Sequence, residues 1–250
     1  MEILRLDNIN KSFGENHVLM DVHLSFDKGK IYTLVGGNGT GKTTLYNLIT
    51  GFLKVDSGTI TYNSKQIQKS NPVKINHLGI TRTFQDLRLI SELSVRENIL
   101  LSFNNNPGEK LYNAILPSRL FKKEYKAFAE RSKKILEKIH LTEVADSPAG
   151  EISYGQQKLL TLGCCIANDA QLLLLDEPVA GIDKDNYLRI YNLLNELKSE
   201  GKTIIQIEHN HNFIESLSNG IYFLYGGKAI YFENYNAFIN DTEVKKVYLN

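Results

Sequence analysis

An apolar segment followed by a glycine-rich turn constrains the fold of this chain more than any other feature. Residues 31–35 read Ile-Tyr-Thr-Leu-Val, a short apolar run typical of a buried central strand. Residues 36–43 read Gly-Gly-Asn-Gly-Thr-Gly-Lys-Thr, which fits the pattern G-x4-G-K-[ST]. A helical pattern follows from Thr43 to Thr50 and ends at Gly51. This order of strand, turn and helix predicts an α/β fold that binds phosphate groups.

The residue types in the turn suit a chain of phosphates. Glycines let several backbone N–H groups point at one anion, and the helix N-terminus adds partial positive charge there. Lys42 would reach the β- and γ-phosphates, and the Thr43 hydroxyl would hold Mg²⁺. A chance glycine-rich turn is the alternative, but the strand-to-helix context argues against it. The candidate nucleotide-binding residues here are Gly36, Gly37, Asn38, Gly39, Thr40, Gly41, Lys42, Thr43 and Thr44.

Two carboxylates follow a second apolar run. Leu172–Leu175 predicts a buried strand, and Asp176 and Glu177 come directly after it. Asp176 would orient the Mg²⁺ shell, and Glu177 would act as general base toward the attacking water. Acidic residues often follow strands, so the pair indicates a catalytic site only because the chain also has the phosphate-binding turn. Together the two motifs predict a catalytic site for a nucleotide and Mg²⁺.

A third motif, Ile152-Ser153-Tyr154-Gly155-Gln156-Gln157, opens a predicted helix where a hydroxyl and N–H groups can face an anion. It resembles the signature motif of ATP-binding cassette (ABC) proteins, usually Leu-Ser-Gly-Gly-Gln, and the resemblance extends over essentially the whole chain. In that family the motif covers the γ-phosphate of ATP bound by a partner chain. The resemblance therefore implies ATP and Mg²⁺ as cofactors, a site completed by Ser153, Gly155 and Gln156 of a second ABC ATPase subunit, and a head-to-tail homodimer or heterodimer.

Other family positions follow in order. Gln85 resembles the glutamine that senses Mg²⁺ and the attacking water, and residues 180–183 resemble the D-loop that links the two sites. His209 resembles the switch histidine on the γ-phosphate, and Phe13 stands where an aromatic ring stacks on adenine. Without the resemblance, His209 would be interpreted as a solvated loop residue and Phe13 as a core aromatic.

Three residues depart from the common family pattern. Gly37 replaces a frequent proline, which predicts a somewhat more flexible turn. Phe13 replaces tyrosine, and Tyr154 replaces the first glycine of the signature. Because Ser153 and Glu177 are retained, we expect an active site.

The resemblance also implies the architecture: an α/β P-loop NTPase (RecA-like) core, an N-terminal antiparallel β subdomain and an inserted α-helical signature subdomain. We expect one domain over 1–250, with the core and β subdomain at about 1–85 and 161–250 and the helical subdomain at about 86–160. Local patterns agree with this plan. Alternating apolar residues from Val18 to Phe26 (Val18, Met20, Val22, Leu24 and Phe26) predict a half-buried strand.

Composition limits the classes of partner. The net charge of +1, from 29 basic and 28 acidic side chains, argues against a nucleic-acid partner. No stretch approaches the roughly 18 apolar residues of a membrane span, and the N-terminus has no signal-peptide pattern. Adjacent Cys164 and Cys165 are interpreted as small buried residues in a reducing compartment. We expect a cytoplasmic protein, peripheral on the inner face of the cell membrane through integral membrane permease subunits.

Short matches suggest a branch of the family. The Ser-Tyr-Gly-Gln-Gln signature, Thr81-Arg82-Thr83-Phe84-Gln85 and the C-terminal residues 247–250 resemble the ATPases of Liv-type importers for branched-chain amino acids. The predicted function is therefore the ATP-hydrolysing motor of such an importer. The alternatives are the ATPase of a lipid-related ABC exporter, a soluble non-transport ABC ATPase, and a module that holds ATP without turnover. The presence of Glu177 and His209 argues against the last.

Overall fold

The structure is a computed structural model, and it describes residues 1–83, 87–104 and 119–248. The chain forms two compact units. The first comprises Met1–Arg82, Gln171–Ala180 and Leu194–Asn250, and the second comprises Thr83–Ala170 and Gly181–Leu193. The boundaries expected between subdomains remain a prediction.

The described residues form ten strands, β1 (Glu2–Phe13), β2 (Asn16–Asp27), β3 (Ile31–Val35), β4 (Ser57–Tyr62), β5 (Lys65–Gln66), β6 (Ile80–Arg82), β7 (Leu172–Asp176), β8 (Thr203–Ile207), β9 (Gly220–Tyr225) and β10 (Lys228–Phe232). Their helices are α1 (Lys42–Ile49), α2 (Pro72–His77), α3 (Val95–Leu101), α4 (Arg119–Lys138), α5 (Tyr154–Ala167), α6 (Lys184–Ser199), α7 (His211–Leu217), α8 (Tyr235–Asn240) and α9 (Thr242–Val247), with a 3₁₀ turn at Thr142–Val144. No helix in these described ranges is long and apolar enough to cross a membrane.

The first unit begins with the predicted antiparallel sheet. Its strand order is β2-β1-β4-β5, and every pair in it is antiparallel. The strict alternation expected along β2 is wrong at one point, because Leu19 is buried whereas Met20 is 38% exposed. The pairing with β1 shifts register between the pairs Ile9–Val22 and Lys11–Leu19. Asp21 has a φ of 55° there, so the strand bulges and the faces exchange.

The second sheet of this unit has the order β10-β9-β3-β8-β7-β6. Neighbouring strands from β9 to β6 run parallel, and β10 forms an antiparallel hairpin with β9. β3 lies between β9 and β8, and all five of its residues are buried, as the apolar run predicts. Because β3, β7 and β8 are parallel, the loops after them leave the same edge of the sheet. Ligands of open parallel sheets bind at such carboxyl ends.

Helix α1 is held to this sheet by a fully buried tyrosine. The Tyr46 hydroxyl lies within hydrogen-bonding distance of the carbonyl oxygens of Leu175, near the end of β7, and Ile205, in the middle of β8, at 3.1 and 2.7 Å. The same core includes Leu45 and Ile49 of α1, both completely buried. Burying each such side chain contributes about 1.5–3 kcal/mol. The helix that follows the glycine-rich turn is thus fixed against the strands that carry the carboxylates.

The second unit is helical, as predicted. Helix α3 begins with a capping box, in which Ser94 accepts from the Glu97 N–H and the Glu97 carboxylate accepts from the Ser94 N–H. Helix α5 packs closely on the end of α4, since a Cβ added at Gly163 would lie 3.4 Å from Cγ2 of Ile135 in α4 and 2.7 Å from Cδ1 of Ile139, the residue after it. Both cysteines of α5 are free thiols, and burial raises the pKa of Cys164 to about 11.

Candidate nucleotide-binding and hydrolytic site

The glycine-rich turn joins β3 to α1 without a side-chain cap. The N-cap residue of α1 is Gly41, with a φ of 97°, and Gly39 has a φ of 78°. A Cβ at Gly36 would lie 2.5 Å from the carbonyl oxygen of Leu224, so only glycine fits there. At Gly37 the nearest atom to an added Cβ is 3.9 Å away. The turn therefore needs glycine for backbone conformation at 39 and 41 and for close approach at 36, but not at 37, and this suits a loop that wraps an anion.

Lys42 lies inside this turn. Its side chain donates from Nζ to the carbonyls of Gly36 and Gly37 at 2.6 and 2.8 Å, and the residue is only 8% exposed. Burial lowers the pKa of the ammonium, while the carboxylates of Glu177 and Asp176 raise it. The ammonium thus belongs to the same electrostatic environment as the two predicted catalytic carboxylates.

Asp176 ends β7 and is held by an arginine that sequence reasoning did not single out. Arg82 Nη2 lies 3.2 Å from Oδ2 of Asp176, and both side chains are nearly buried, at 5% and 7% exposed. Burial raises the pKa of Asp176, and Arg82 opposes that shift. Arg82 also donates to Asn47 of α1 at 2.6 Å and lies over the Tyr46 ring. This network fixes the Asp176 carboxylate relative to α1.

Glu177 has an unusual backbone. Its φ is 48°, a conformation that costs a non-glycine residue about 1–3 kcal/mol and is often found at functional sites. The Glu177 N–H donates to the carbonyl of Ile207 at 2.9 Å, which keeps the residue paired to β8. Its Oε1 lies 3.8 Å from Nε2 of His209. The structure therefore brings together the predicted general base and the predicted switch histidine.

A buried glutamate organises the backbone around His209. Glu208 is 2% exposed and accepts hydrogen bonds from the N–H groups of Val179, His209 and Asn210 at 3.1, 2.9 and 3.1 Å. The carboxylate links the segment after Glu177 to the segment that carries the histidine. No short motif predicts this role, because its three donors come from two distant parts of the chain.

Phe13 and the threonines of the turn are at least partly exposed. Phe13 ends β1 and is 48% exposed, which leaves ring surface for stacking, so it is not a core aromatic. Thr43 and Asn38 are exposed and Thr44 is partly buried. Thr40 donates from its hydroxyl to the carbonyl of Gly37 at 2.9 Å, which closes the turn.

The oxygen ligands available at this site fit Mg²⁺ bound together with a nucleotide better than a metal ion held by protein side chains alone. Within the described ranges, no three His, Cys, Asp or Glu side chains form a metal-binding group. Mg²⁺ usually binds through one or two protein oxygens together with substrate phosphates. The Thr43 hydroxyl and the Asp176 carboxylate are the predicted pair of this kind. Gln85, the other predicted Mg²⁺ contact, lies outside the described residues.

The signature segment belongs to the second unit. Ser153 is the N-cap of α5: its hydroxyl accepts from the Gln156 N–H at 3.3 Å, and the Gln156 side chain accepts from the Ser153 N–H at 2.9 Å. A Cβ at Gly155 would overlap Nδ2 of Asn186 and lie 2.7 Å from its Cγ. Tyr154, in contrast, is 46% exposed. The motif thus tolerates a large side chain at 154 and requires glycine at 155.

Comparison with known proteins agrees with these motifs. The sequence pattern of the ABC transporter family matches residues 19–180. The Probable branched-chain amino acid transport ATP-binding protein LivG of Methanocaldococcus jannaschii is 36% identical over 253 residues, across 100% of this chain and 98% of that protein. The High-affinity branched-chain amino acid transport ATP-binding protein LivG of Escherichia coli K12 is 30% identical, across 99% and 97%.

Solved structures agree in fold. A nucleotide-free ATP-binding cassette from an ABC transporter superposes with a TM-score of 0.86 at 36% identity over 100% of both chains. An ATP-binding cassette of an ABC transporter in its ADP conformation gives a TM-score of 0.85 at 35% identity, over 100% of this chain and 99% of that one. The predicted P-loop NTPase fold is therefore confirmed. This chain belongs to the ABC transporter family, as an ATP-binding cassette ATPase.

Proposed function

We propose that this chain is the MgATP-driven motor subunit of an importer for branched-chain or related amino acids. The observation that carries the proposal is the full-length similarity to LivG proteins, together with a site that retains Lys42, Asp176, Glu177 and His209. A cassette that only holds ATP would not need a carboxylate kept in a strained backbone conformation beside a histidine.

In this proposal the adenine stacks on Phe13 and the phosphates lie against the N–H groups of the glycine-rich turn. Lys42 exchanges the carbonyls of Gly36 and Gly37 for phosphate oxygens. Mg²⁺, held by Thr43 and Asp176 with Gln85 nearby, would neutralise phosphate charge.

Hydrolysis then depends on the residues after β7 and β8. Glu177 accepts a proton from the attacking water, and His209 donates to the γ-phosphate. General-base assistance of this kind contributes about 10²–10⁴-fold to a rate. The exposure of Glu177 and His209, 31% and 38%, leaves both side chains accessible to a bound nucleotide.

The second subunit supplies the rest of the site. Ser153, with Gly155 and Gln156, would cover the γ-phosphate bound to the partner's turn, in a homodimer or with a second, similar cassette. ATP would favour the closed pair because the Ser153 contact exists only there. Closure and reopening would drive integral membrane permeases, which hold the pair at the inner face of the membrane.

Uptake of radiolabelled leucine by cells that express the chain with its permeases and binding protein tests the proposal. We expect uptake with the wild-type chain and none with Glu177→Gln. Glu233→Gln, at an exposed carboxylate beyond β10, is the matched control and should support normal uptake. ATP turnover without uptake, or with efflux of a lipid, would contradict the importer and favour one of the alternative transport or non-transport ATPases.

A further inference from the structure

The predicted switch histidine is contacted on its second ring nitrogen by the last described residue of the chain. The Tyr248 hydroxyl lies 3.0 Å from Nδ1 of His209, and the two ring centroids are 6.4 Å apart. On the opposite side of the imidazole, Nε2 faces Oε1 of Glu177 at 3.8 Å. His209 is therefore placed between a tyrosine hydroxyl and the predicted general base.

Tyr248 is firmly anchored. Its N–H donates to the carbonyl of Val244 at 2.9 Å, which continues α9 by one residue. Its ring packs on Phe223 of β9 and Phe238 of α8, with centroid distances of 5.8 and 6.0 Å. Phe223, Phe238 and Val244 are buried members of one apolar cluster, which fixes the hydroxyl at the end of a rigid ring.

This contact bears on which nitrogen of a neutral His209 carries hydrogen, since the hydroxyl and the ring nitrogen can each donate or accept. Burial and the nearby Glu208 raise the pKa of Tyr248, so its hydroxyl stays protonated and can donate. A neutral imidazole has one N–H, and the other nitrogen accepts. If Nδ1 accepts from Tyr248, the hydrogen is on Nε2, which faces Glu177 and the place of the reaction.

We propose that Tyr248 is a positioning residue for His209, which fixes the ring orientation and holds the neutral imidazole with hydrogen on Nε2, ready to donate to a phosphate oxygen. Glu208 fixes the backbone of His209, and Tyr248 fixes its side chain. The inference rests on the proposed role of His209 in hydrolysis. It makes the C-terminal helix α9 a part of the ATPase site.

The same unit contains a matched control. The Tyr235 hydroxyl lies 2.9 Å from Nδ1 of His211, with ring centroids 5.9 Å apart. The two pairs share residue types, hydrogen-bond geometry and the same C-terminal part of the chain. His211 has no assigned role in the reaction, so loss of the Tyr235 hydroxyl measures what such a pair contributes to structure alone.

Nitrogen NMR of histidine-labelled protein tests the tautomer directly. In the wild type at a pH where His209 is neutral, we expect the protonated-nitrogen signal on Nε2, assigned by its loss in His209→Gln. Tyr248→Phe keeps the ring and should produce a mixture of both tautomers at His209. Tyr235→Phe should alter the signals of His211 only. An unchanged His209 spectrum in Tyr248→Phe would overturn the proposal.

Steady-state kinetics of ATP hydrolysis distinguish a positioning role of Tyr248 from a role in folding. Tyr248→Phe should lower kcat for ATP about 3- to 10-fold, the contribution of one hydrogen bond, with KM within about twofold of wild type. Tyr235→Phe should keep the wild-type kcat, and thermal melts should show that both variants are folded. A Tyr248→Phe enzyme with wild-type kcat, beside an inactive His209→Ala, overturns this inference alone. Full activity in His209→Ala overturns the proposed role of His209 as well.

Discussion

Two helix N-termini in this molecule were predicted to face phosphate, and they are built in opposite ways. Helix α1 begins at Gly41, which has no side chain to cap it. Helix α5 begins at Ser153, whose hydroxyl and N–H are both engaged with Gln156 in a capping box. The first N-terminus leaves its N–H groups to a ligand, whereas the second satisfies its own.

This difference suits the two roles proposed for these N-termini. The one at α1 would bind the nucleotide of its own chain, and the one at α5 would contact the nucleotide of a partner chain. The glycine-rich turn is shaped for an anion in the chain by itself, and it holds a lysine ammonium among its own carbonyls. The Ser153 hydroxyl accepts from the Gln156 N–H, which caps the helix, and it still has its own hydrogen to donate to a phosphate oxygen. The signature helix is thus stable without nucleotide, which suits a segment that would meet ATP only on a partner chain.

The largest expected effect is at the first N-terminus. Lys42→Ala removes the ammonium from the turn and should reduce kcat/KM for ATP about 10³-fold, since it deletes a preorganised donor to developing charge. Phosphate release and binding of a fluorescent ATP analogue measure it. Lys30→Ala is the control, because the Lys30 ammonium forms an exposed ion pair with Asp27 at 2.9 Å. Equal losses in both variants would contradict a specific role for Lys42.

The next effect is at the second N-terminus. Ser153→Ala should lower ATP turnover about 10²-fold while nucleotide binding by the single chain stays within about twofold. Loss of the cap should also cost about 1 kcal/mol of stability.

Ser94→Ala is the matched control for that change, because Ser94 forms the same capping box at α3. It should lose the same stability and keep full turnover. If Ser94→Ala lost turnover in parallel, the effect of Ser153→Ala would be ascribed to helix stability.

Gly155→Ala should act on stability at the second N-terminus. The new methyl group would overlap Asn186, whose Nδ2 and N–H donate to the two carboxylate oxygens of Asp183 at 2.6 and 2.9 Å. Overpacking of this kind costs about 1–3 kcal/mol, measured by chemical denaturation. A Gly155→Ala stability equal to that of the wild type would contradict the close approach of Asn186 to Gly155.

The smallest effect is expected at Gly37. An added Cβ there has its nearest neighbour at 3.9 Å, and Gly37 is not among the glycines of positive φ. Gly37→Ala should therefore stabilise the chain by about 0.5 kcal/mol through the unfolded state and leave turnover within about twofold. A thermal melt below that of the wild type would show that this position needs glycine.

Local patterns predict the parts of the site that are contiguous in sequence. Motif and helix-cap chemistry place three features to within one or two residues of where the structure has them: the turn from Gly36 to Thr43, the carboxylates after β7 and the N-cap at Ser153. The β2 alternation fails at Met20, because a bulge depends on pairing with β1 rather than on the residues of β2.

The supporting residues could not be predicted, since each acts across a long separation. Arg82 meets Asp176, Glu208 joins the loops after β7 and β8, and Tyr248 reaches His209 from the C-terminus. Helices α2, α7, α8 and α9 were also missed, because six or seven residues are too few for a helical period. Their Asn and Asp N-caps were the available signal.

The central claim is that one ATP site takes Lys42 from one chain and Ser153 from another, and mixing two inactive variants tests it most directly. Lys42→Ala and Ser153→Ala chains, each nearly inactive alone, form mixed pairs in which one of the two sites is complete. With equal amounts and random pairing, ATP turnover should recover to about a quarter of the wild-type value. Turnover no greater than the sum of the separate variants would contradict a shared site.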